Sequence, residues 1–78
     1  MYKIFVYQES AFHMGLLLEY KSNILPTIGD IYAASRFKDG MQRQVVSRVL
    51  SIEDYSIDSI IINVDYSFPN LLTKDENV

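Results

Sequence analysis

Residues 31–52 read IYAASRFKDGMQRQVVSRVLSI, and this stretch decides between two folds. The pair Asp39-Gly40 favours a β-hairpin, because a type I′ turn needs positive φ at both central residues and this dipeptide tolerates it. The same stretch also fits the start of a helix, with Asp39 as the N-cap, Gln42 at the third helical position and apolar residues at helical spacing beyond them. The alternative to the hairpin is therefore an α+β fold with a helix at about 41–51.

β-Branched residues favour the strand over the helix. Four of them fall in the second half of the stretch: Val45, Val46, Val49 and Ile52. A branched Cβ lowers helix propensity and suits a pleated sheet. We therefore predict two paired strands, 31–38 and 41–52, joined by a two-residue turn.

Outside this stretch, apolar alternation predicts three further strands, at 2–7, 15–21 and 59–66. The first is apolar on both faces, which predicts a central strand that is covered on both sides. The last is expected to bury one face, made of Ile60, Ile62, Val64 and Tyr66. Pro26 and Gly29 predict a sharp corner before the hairpin.

Five strands in meander order favour closure into a small barrel, because closure removes unpaired edges. The segments LPTIGDIY, VVSRVLSIED and SIIINVDY resemble the pattern of SH3-like small barrels, in which a Gly-Asp corner precedes the strands of the second sheet. The resemblance implies architecture only, since such barrels serve as protein-binding, nucleic-acid-binding and inhibitory modules. The predicted fold is thus all-β, a five-stranded SH3-like barrel over 1–67 with a partly frayed tail at 68–78.

The chain is also similar to the short acidic proteins that phages and mobile elements carry. It has 78 residues, a net charge of −3 and no cysteine, so we expect one domain without disulfides or thiolate metal ligands. No apolar run is long enough for a membrane helix, so we expect no membrane partner and a cytoplasmic location, including the host cytoplasm. This resemblance implies an inhibitor of a host system, such as an anti-CRISPR or anti-restriction protein.

Residues with catalytic chemistry are sparse. His13 is the single histidine, and a zinc site needs several imidazole or thiolate ligands that this chain lacks. Neither a phosphate-binding glycine loop nor a complete catalytic triad can be recognised. We therefore predict no metal, no cofactor and no enzymatic activity, and a small enzyme that uses His13 is the least favoured alternative.

Positive charge is concentrated at the predicted hairpin. Pairing across Asp39-Gly40 places Arg36 opposite Arg43, so that both emerge with Lys38 on one face. We predict a binding face there, formed by Tyr32, Arg36, Phe37, Lys38, Met41 and Arg43. Because arginine and aromatic residues are enriched in protein interfaces, we expect an acidic protein partner.

The predicted function is a non-enzymatic protein-binding module that docks through this basic hairpin. Single-stranded nucleic acid is the alternative ligand, with Tyr32 and Phe37 stacking on bases. The net charge of −3 disfavours that alternative, because nucleic-acid affinity depends on neutralised phosphates. Tyr20 and Tyr55 are further interface candidates, and strand edges left open by incomplete closure would favour a homodimer.

Overall fold

An 11-residue strand, Arg43–Glu53, occupies the stretch for which strand and helix were the alternatives. The computed structural model describes residues 1–9 and 15–67. In this part of the chain the regular elements are a 3₁₀ turn, Ala34–Arg36, and five strands: β1 (Tyr2–Gln8), β2 (Leu16–Ser22), β3 (Ile31–Tyr32), β4 (Arg43–Glu53) and β5 (Ser56–Tyr66). The all-β class is confirmed. The helix at about 41–51 is wrong, because β4 pairs with β5 from Arg43 to Glu53, with a bulge at Val46.

The sheet has the order β2-β1-β5-β4-β3 and curls into a half-barrel. Consecutive strands pair antiparallel from β1 to β2 and from β3 through β5, as a meander requires. The order departs from the predicted meander at one point, because the consecutive strands β2 and β3 do not pair with each other. Instead, β1 pairs with β5 in parallel, which leaves β2 and β3 at the two edges of the sheet. This pairing brings the most apolar strands together at the centre, with Ile4 beside Ile60 and Val6 beside Ile62.

The inner face of the sheet forms the core. Its buried side chains are Ile4, Val6, Val45, Ile60, Ile62 and Val64, joined by Tyr32 and Phe37. The predicted face of β5 is confirmed except at Tyr66, which is 43% exposed. The prediction that β1 is covered on both sides is wrong, because a half-barrel has one interior and Phe5 and Tyr7 on the outer face are only half-buried.

The corner that precedes β3 is confirmed. Gly29 has a φ of +98°, which glycine adopts without a steric penalty. Its N–H donates to the carbonyl of Val45 at 2.9 Å, and the carbonyl of Pro26 accepts a hydrogen bond from Arg48 Nη1 at 2.6 Å. Both bonds attach the corner to β4.

The predicted strand at 31–38 is too long. β3 ends at Tyr32, and the 3₁₀ turn follows. Tyr32 lies opposite Arg43, so the prediction that Arg36 faces Arg43 is wrong. After Tyr32 the chain turns away from the direction of β3, because this turn brings Phe37 into the core, where its side chain is 7% exposed.

The predicted two-residue turn at Asp39-Gly40 is also wrong. Gly40 has a positive φ of 69°, but Asp39 does not. The N–H of Gly40 donates to the carbonyl of Phe37 at 3.1 Å, so the turn spans 37–40.

A turn with positive φ at both central residues connects β4 to β5 instead. Asp54 has a φ of 51° and Tyr55 a φ of 66°, while Glu53 pairs with Ser56. Neither central residue is glycine, which makes the conformation uncommon. The ring of Tyr55 is fully exposed at this tip.

Two predictions fall outside the described residues: the tail at 68–78 and the environment of His13. Within residues 1–9 and 15–67, no helix has the length and apolarity needed to cross a membrane.

Candidate functional site: a cleft between the two sheet edges

A cleft separates the two edge strands, β2 and β3, where the half-barrel is open. Its volume is about 490 Å³, and the residues that define its chemistry are Tyr20, Ile24, Asp30, Ile31, Tyr32 and Arg36. β2 supplies Tyr20, β3 supplies Ile31 and Tyr32, and the 3₁₀ turn supplies Arg36. The cleft therefore exists because the sheet order leaves these two strands without a ladder between them.

Two tyrosines bridge the opening. The hydroxyl groups of Tyr20 and Tyr32 are hydrogen-bonded at 2.8 Å, and their rings meet edge to face with centroids 6.3 Å apart. Tyr32 also meets Phe37 edge to face at 6.2 Å, which joins the bridge to the core. Burial raises the pKa of Tyr32 well above its ordinary value, and the hydrogen bond to Tyr20 adds to the shift. The phenol of Tyr32 is thus protonated at neutral pH.

Arg36 lies over this bridge. Its guanidinium carbon is 4.5 Å from the centroid of the Tyr20 ring and 5.5 Å from that of Tyr32. These distances are within the range of cation–π attraction, which holds the guanidinium group near the rings. In the part of the chain that the structure describes, the guanidinium makes no hydrogen bond or ion pair. Its N–H donors are therefore available to a ligand.

Exposed isoleucines border the cleft. Ile24 is 77% exposed and Ile31 is 51% exposed, and Ile28 in the nearby corner is 66% exposed. The Asp30 carboxylate accepts hydrogen bonds from the Thr27 N–H at 2.9 Å and from the Thr27 hydroxyl at 3.1 Å, so it stabilises the corner. A cation on aromatic rings is thus bordered by aliphatic side chains, a combination typical of protein interfaces.

Arg43, by contrast, is part of the packed interior. It is 3% exposed, and its Nη1 and Nη2 donate to the two carboxylate oxygens of Asp39 at 2.9 and 2.7 Å. Its Nε donates to Gln8 Oε1 at 2.7 Å, and its guanidinium lies 4.5 Å from the Phe37 ring and 4.7 Å from the Tyr66 ring. The Arg43 hydrogen bonds lower the pKa of Asp39 to about 2.

The predicted binding face is therefore divided. Tyr32 and Arg36 come together in the cleft, although Tyr32 is itself only 6% exposed. Lys38 lines a separate hollow of about 240 Å³ beside β2 together with Phe37 and Arg43, which are 7% and 3% exposed. Met41 is 37% exposed, and its carbonyl accepts a hydrogen bond from Arg43. The division follows from the register, because the expected pairing of Arg36 with Arg43 does not occur.

Sequence reasoning missed three residues of the cleft, Asp30 and the two isoleucines Ile24 and Ile31. A signal was present, since both isoleucines adjoin the Pro26 to Gly29 corner and chain reversal brings the two ends of a corner together. Tyr20 was an interface candidate from its residue type, but the alternation of β2 did not indicate what lay across from it.

No protein-family model matches this chain, and no curated protein or solved structure matches it either. Among residues 1–9 and 15–67, no group of three or more histidine and acidic side chains could hold a metal ion.

Proposed function

We propose that this protein is a non-enzymatic binding module that holds a segment of a partner protein in the cleft between β2 and β3. The observation that carries the proposal is the arrangement at Arg36, whose guanidinium lies over Tyr20 and Tyr32 and has no hydrogen-bond partner among residues 1–9 and 15–67. Tyrosine and arginine are the residue types that dominate binding energy in protein interfaces. Stacking also restricts the arginine before the partner arrives, which reduces the entropy lost on binding.

The chemistry of the cleft defines the kind of segment that fits. A carboxylate of the partner can accept two parallel hydrogen bonds from the Arg36 fork. Apolar side chains next to that carboxylate can cover Ile24 and Ile31, which are 77% and 51% exposed in the free protein. We therefore propose an acidic segment that also carries aliphatic or aromatic residues.

A protein partner is favoured over nucleic acid by charge. Arg43 is neutralised by Asp39 in the interior, so one of the three cations of the predicted basic face is not available to phosphates. The chain as a whole carries a net charge of −3. Phosphate binding depends on many available cations, so this surface suits one or two carboxylates better than a polyphosphate backbone.

The proposal includes a biological role. The chain resembles short acidic inhibitors that phages and mobile elements carry, and its curled five-stranded sheet suits a small-barrel inhibitor. We propose that the segment held in the cleft belongs to a host system of the CRISPR or restriction type. Inhibition of a purified nuclease by the wild-type protein, and its loss in the cleft variants below, would support that role.

The test compares two charge reversals on the protein surface. Arg36→Glu alters the cleft, and Lys38→Glu makes the same charge change outside it, at another exposed position. The proteins captured from a host lysate by wild type and by Lys38→Glu should be the same, and Arg36→Glu should lose them. A second cleft variant, Ile24→Ser, should weaken the same captures because it removes an exposed apolar contact.

Two results would contradict the proposal. Recovery of the same proteins by Arg36→Glu and by wild type, with both variants folded by circular dichroism, would remove the cleft from the interface. Binding of a labelled single-stranded oligonucleotide at low ionic strength that is lost in Arg36→Glu would assign the cleft to nucleic acid instead.

A further inference from the structure

β2 has one free edge. It pairs with β1 on one side only and lies at the end of the sheet. Within the described residues, no backbone hydrogen bond reaches the other side of 16–22. A seven-residue strand with unpaired N–H and carbonyl groups is a template for a further strand.

The charged residues of β2 have no opposite charge directly across the ladder in β1. Lys21 lies directly opposite Lys3 of β1, and Glu19 lies directly opposite Phe5. Like charges in direct opposition destabilise a sheet. In the described part of the chain neither Glu19 nor Lys21 forms an ion pair. The free edge therefore carries two exposed charges of opposite sign that an added strand can neutralise.

The sequence of β2 is complementary to itself in one antiparallel register. When two copies pair with Tyr20 opposite Tyr20, Glu19 of each copy faces Lys21 of the other. Residues two apart on a strand share a face, so both ion pairs form on the outer face of the sheet. The neighbouring registers that keep faces matched oppose Glu19 to Glu19 or Lys21 to Lys21. Charge thus selects the register centred on Tyr20.

We propose that the chain forms a twofold homodimer in which two β2 strands pair antiparallel about Tyr20 and extend the sheet across the axis. The dimer uses the edge of β2 that borders the cleft, together with Glu19 and Lys21 on the outer face, so a second copy and a partner held in the cleft would compete for this edge. The dimer goes beyond the proposed function and does not depend on it. A twofold contact of this kind pairs the β2 edge of both copies at once, so no third copy can add to β2.

Sedimentation velocity from micromolar to millimolar concentrations tests the dimer. Wild type should associate, and higher salt should weaken the association because the ion pairs are exposed. Glu19→Lys and Lys21→Glu should each weaken it by at least about tenfold, because each replaces two attractive pairs by two repulsive ones. The exchange variant Glu19→Lys/Lys21→Glu should restore the wild-type affinity.

The single variants give a second, independent measurement. An equimolar mixture of Glu19→Lys and Lys21→Glu should form a heterodimer, because one chain then carries two positive charges and the other two negative charges at the paired positions. Glu53→Lys, which makes the same charge change at an exposed position of the β4–β5 turn, should dimerise like wild type.

The outcomes are decisive. A monomer over the whole concentration range overturns the proposal, and so does a dimer that Glu19→Lys leaves unchanged. An exchange variant no tighter than the single variants also overturns it, and this variant decides the question even if a single variant fails to fold. Glu19→Lys changes the outer face of β2 and no residue of the cleft, so it should keep the capture of a cleft partner while it weakens the dimer, and failure of the dimer and failure of the cleft can be told apart.

Discussion

Arg36 and Arg43 are close in sequence and both stack on aromatic rings, yet their surroundings are opposite. Arg43 is 3% exposed and is paired with Asp39 and Gln8. Arg36 is exposed, and its guanidinium contacts tyrosine rings without an acidic partner in the described residues. The comparison teaches that an aromatic neighbour does not by itself assign a role to an arginine. The hydrogen-bond partners decide it, so Arg43 stabilises the fold and Arg36 is available for binding.

The largest effect is expected at Arg43. Arg43→Ala should lower the free energy of unfolding by about 2–4 kcal/mol, because it leaves the buried Gln8 Oε1 without a hydrogen-bond donor and opens space beside Phe37. Urea unfolding followed by circular dichroism measures the change. A loss no greater than that of Arg36→Ala would contradict the structural role of Arg43.

The tyrosine bridge that supports Arg36 should give the next effect. Tyr32→Phe should cost about 1 kcal/mol, because it removes the 2.8 Å hydrogen bond between the tyrosine hydroxyls. Tyr20→Phe is the matched variant and should cost at least as much, because it leaves the more buried hydroxyl of Tyr32 without its hydrogen-bond partner. If neither variant lowers the free energy of unfolding, the hydrogen bond between the two tyrosines does not hold the sheet edges together.

Alkaline pH tests the same bridge. The native pKa of Tyr32 is raised above the ordinary value of 10.0, so the stability that depends on its protonated form is fully present below pH 10 and is lost as the pH rises through the native pKa. Ultraviolet titration should show one tyrosine that ionises later than the others, and Tyr32→Phe should abolish that late phase. A late phase that persists in Tyr32→Phe would assign it to another tyrosine.

Unfolding at acid pH tests the ion pair between Asp39 and Arg43. The pKa of Asp39 is about 2 in the native state against an ordinary 3.8, so its ion pair stabilises the protein above pH 3.8 and is lost as the pH falls through about 2. Asp39→Asn should remove this part of the acid dependence of the urea midpoint. Arg36→Ala should leave it unchanged, since Arg36 has no carboxylate partner in the described residues.

The smallest effect on stability is expected at Arg36. Arg36→Ala should change the free energy of unfolding by less than about 1 kcal/mol, the usual size of an exposed cation–π contact. The same variant should lose the partner in the capture experiment. If Arg36→Ala lowered the free energy of unfolding as much as Arg43→Ala does, Arg36 would be a structural residue, and the contrast between the two arginines would be wrong.

The strand class was predictable because it depends on local alternation. The buried positions Ile60, Ile62 and Val64 could be identified from a period of two residues. The strand order could not, because the parallel pairing of β1 with β5 joins segments more than fifty residues apart in sequence. Local signals do not specify such a contact.

The candidate site was predictable only in part, for a related reason. Tyr32 and Arg36 were identified by residue type, but their neighbours depended on the register between β3 and β4. That register was misjudged because an Asp-Gly pair was expected to form a two-residue turn, whereas burial of Phe37 determines the path of the chain. The requirement to bury one aromatic ring outweighed a strong local turn preference.

The tip of the β4–β5 hairpin carries a tyrosine in a left-handed backbone conformation, with its whole ring in water. A residue without a side chain would occupy that position at lower energy. The molecule therefore has a site, at the tip of the β4–β5 hairpin, at which replacing Asp54-Tyr55 by Asn-Gly should raise the melting temperature. This more heat-stable variant would be suitable for crystallising the complex with a captured partner.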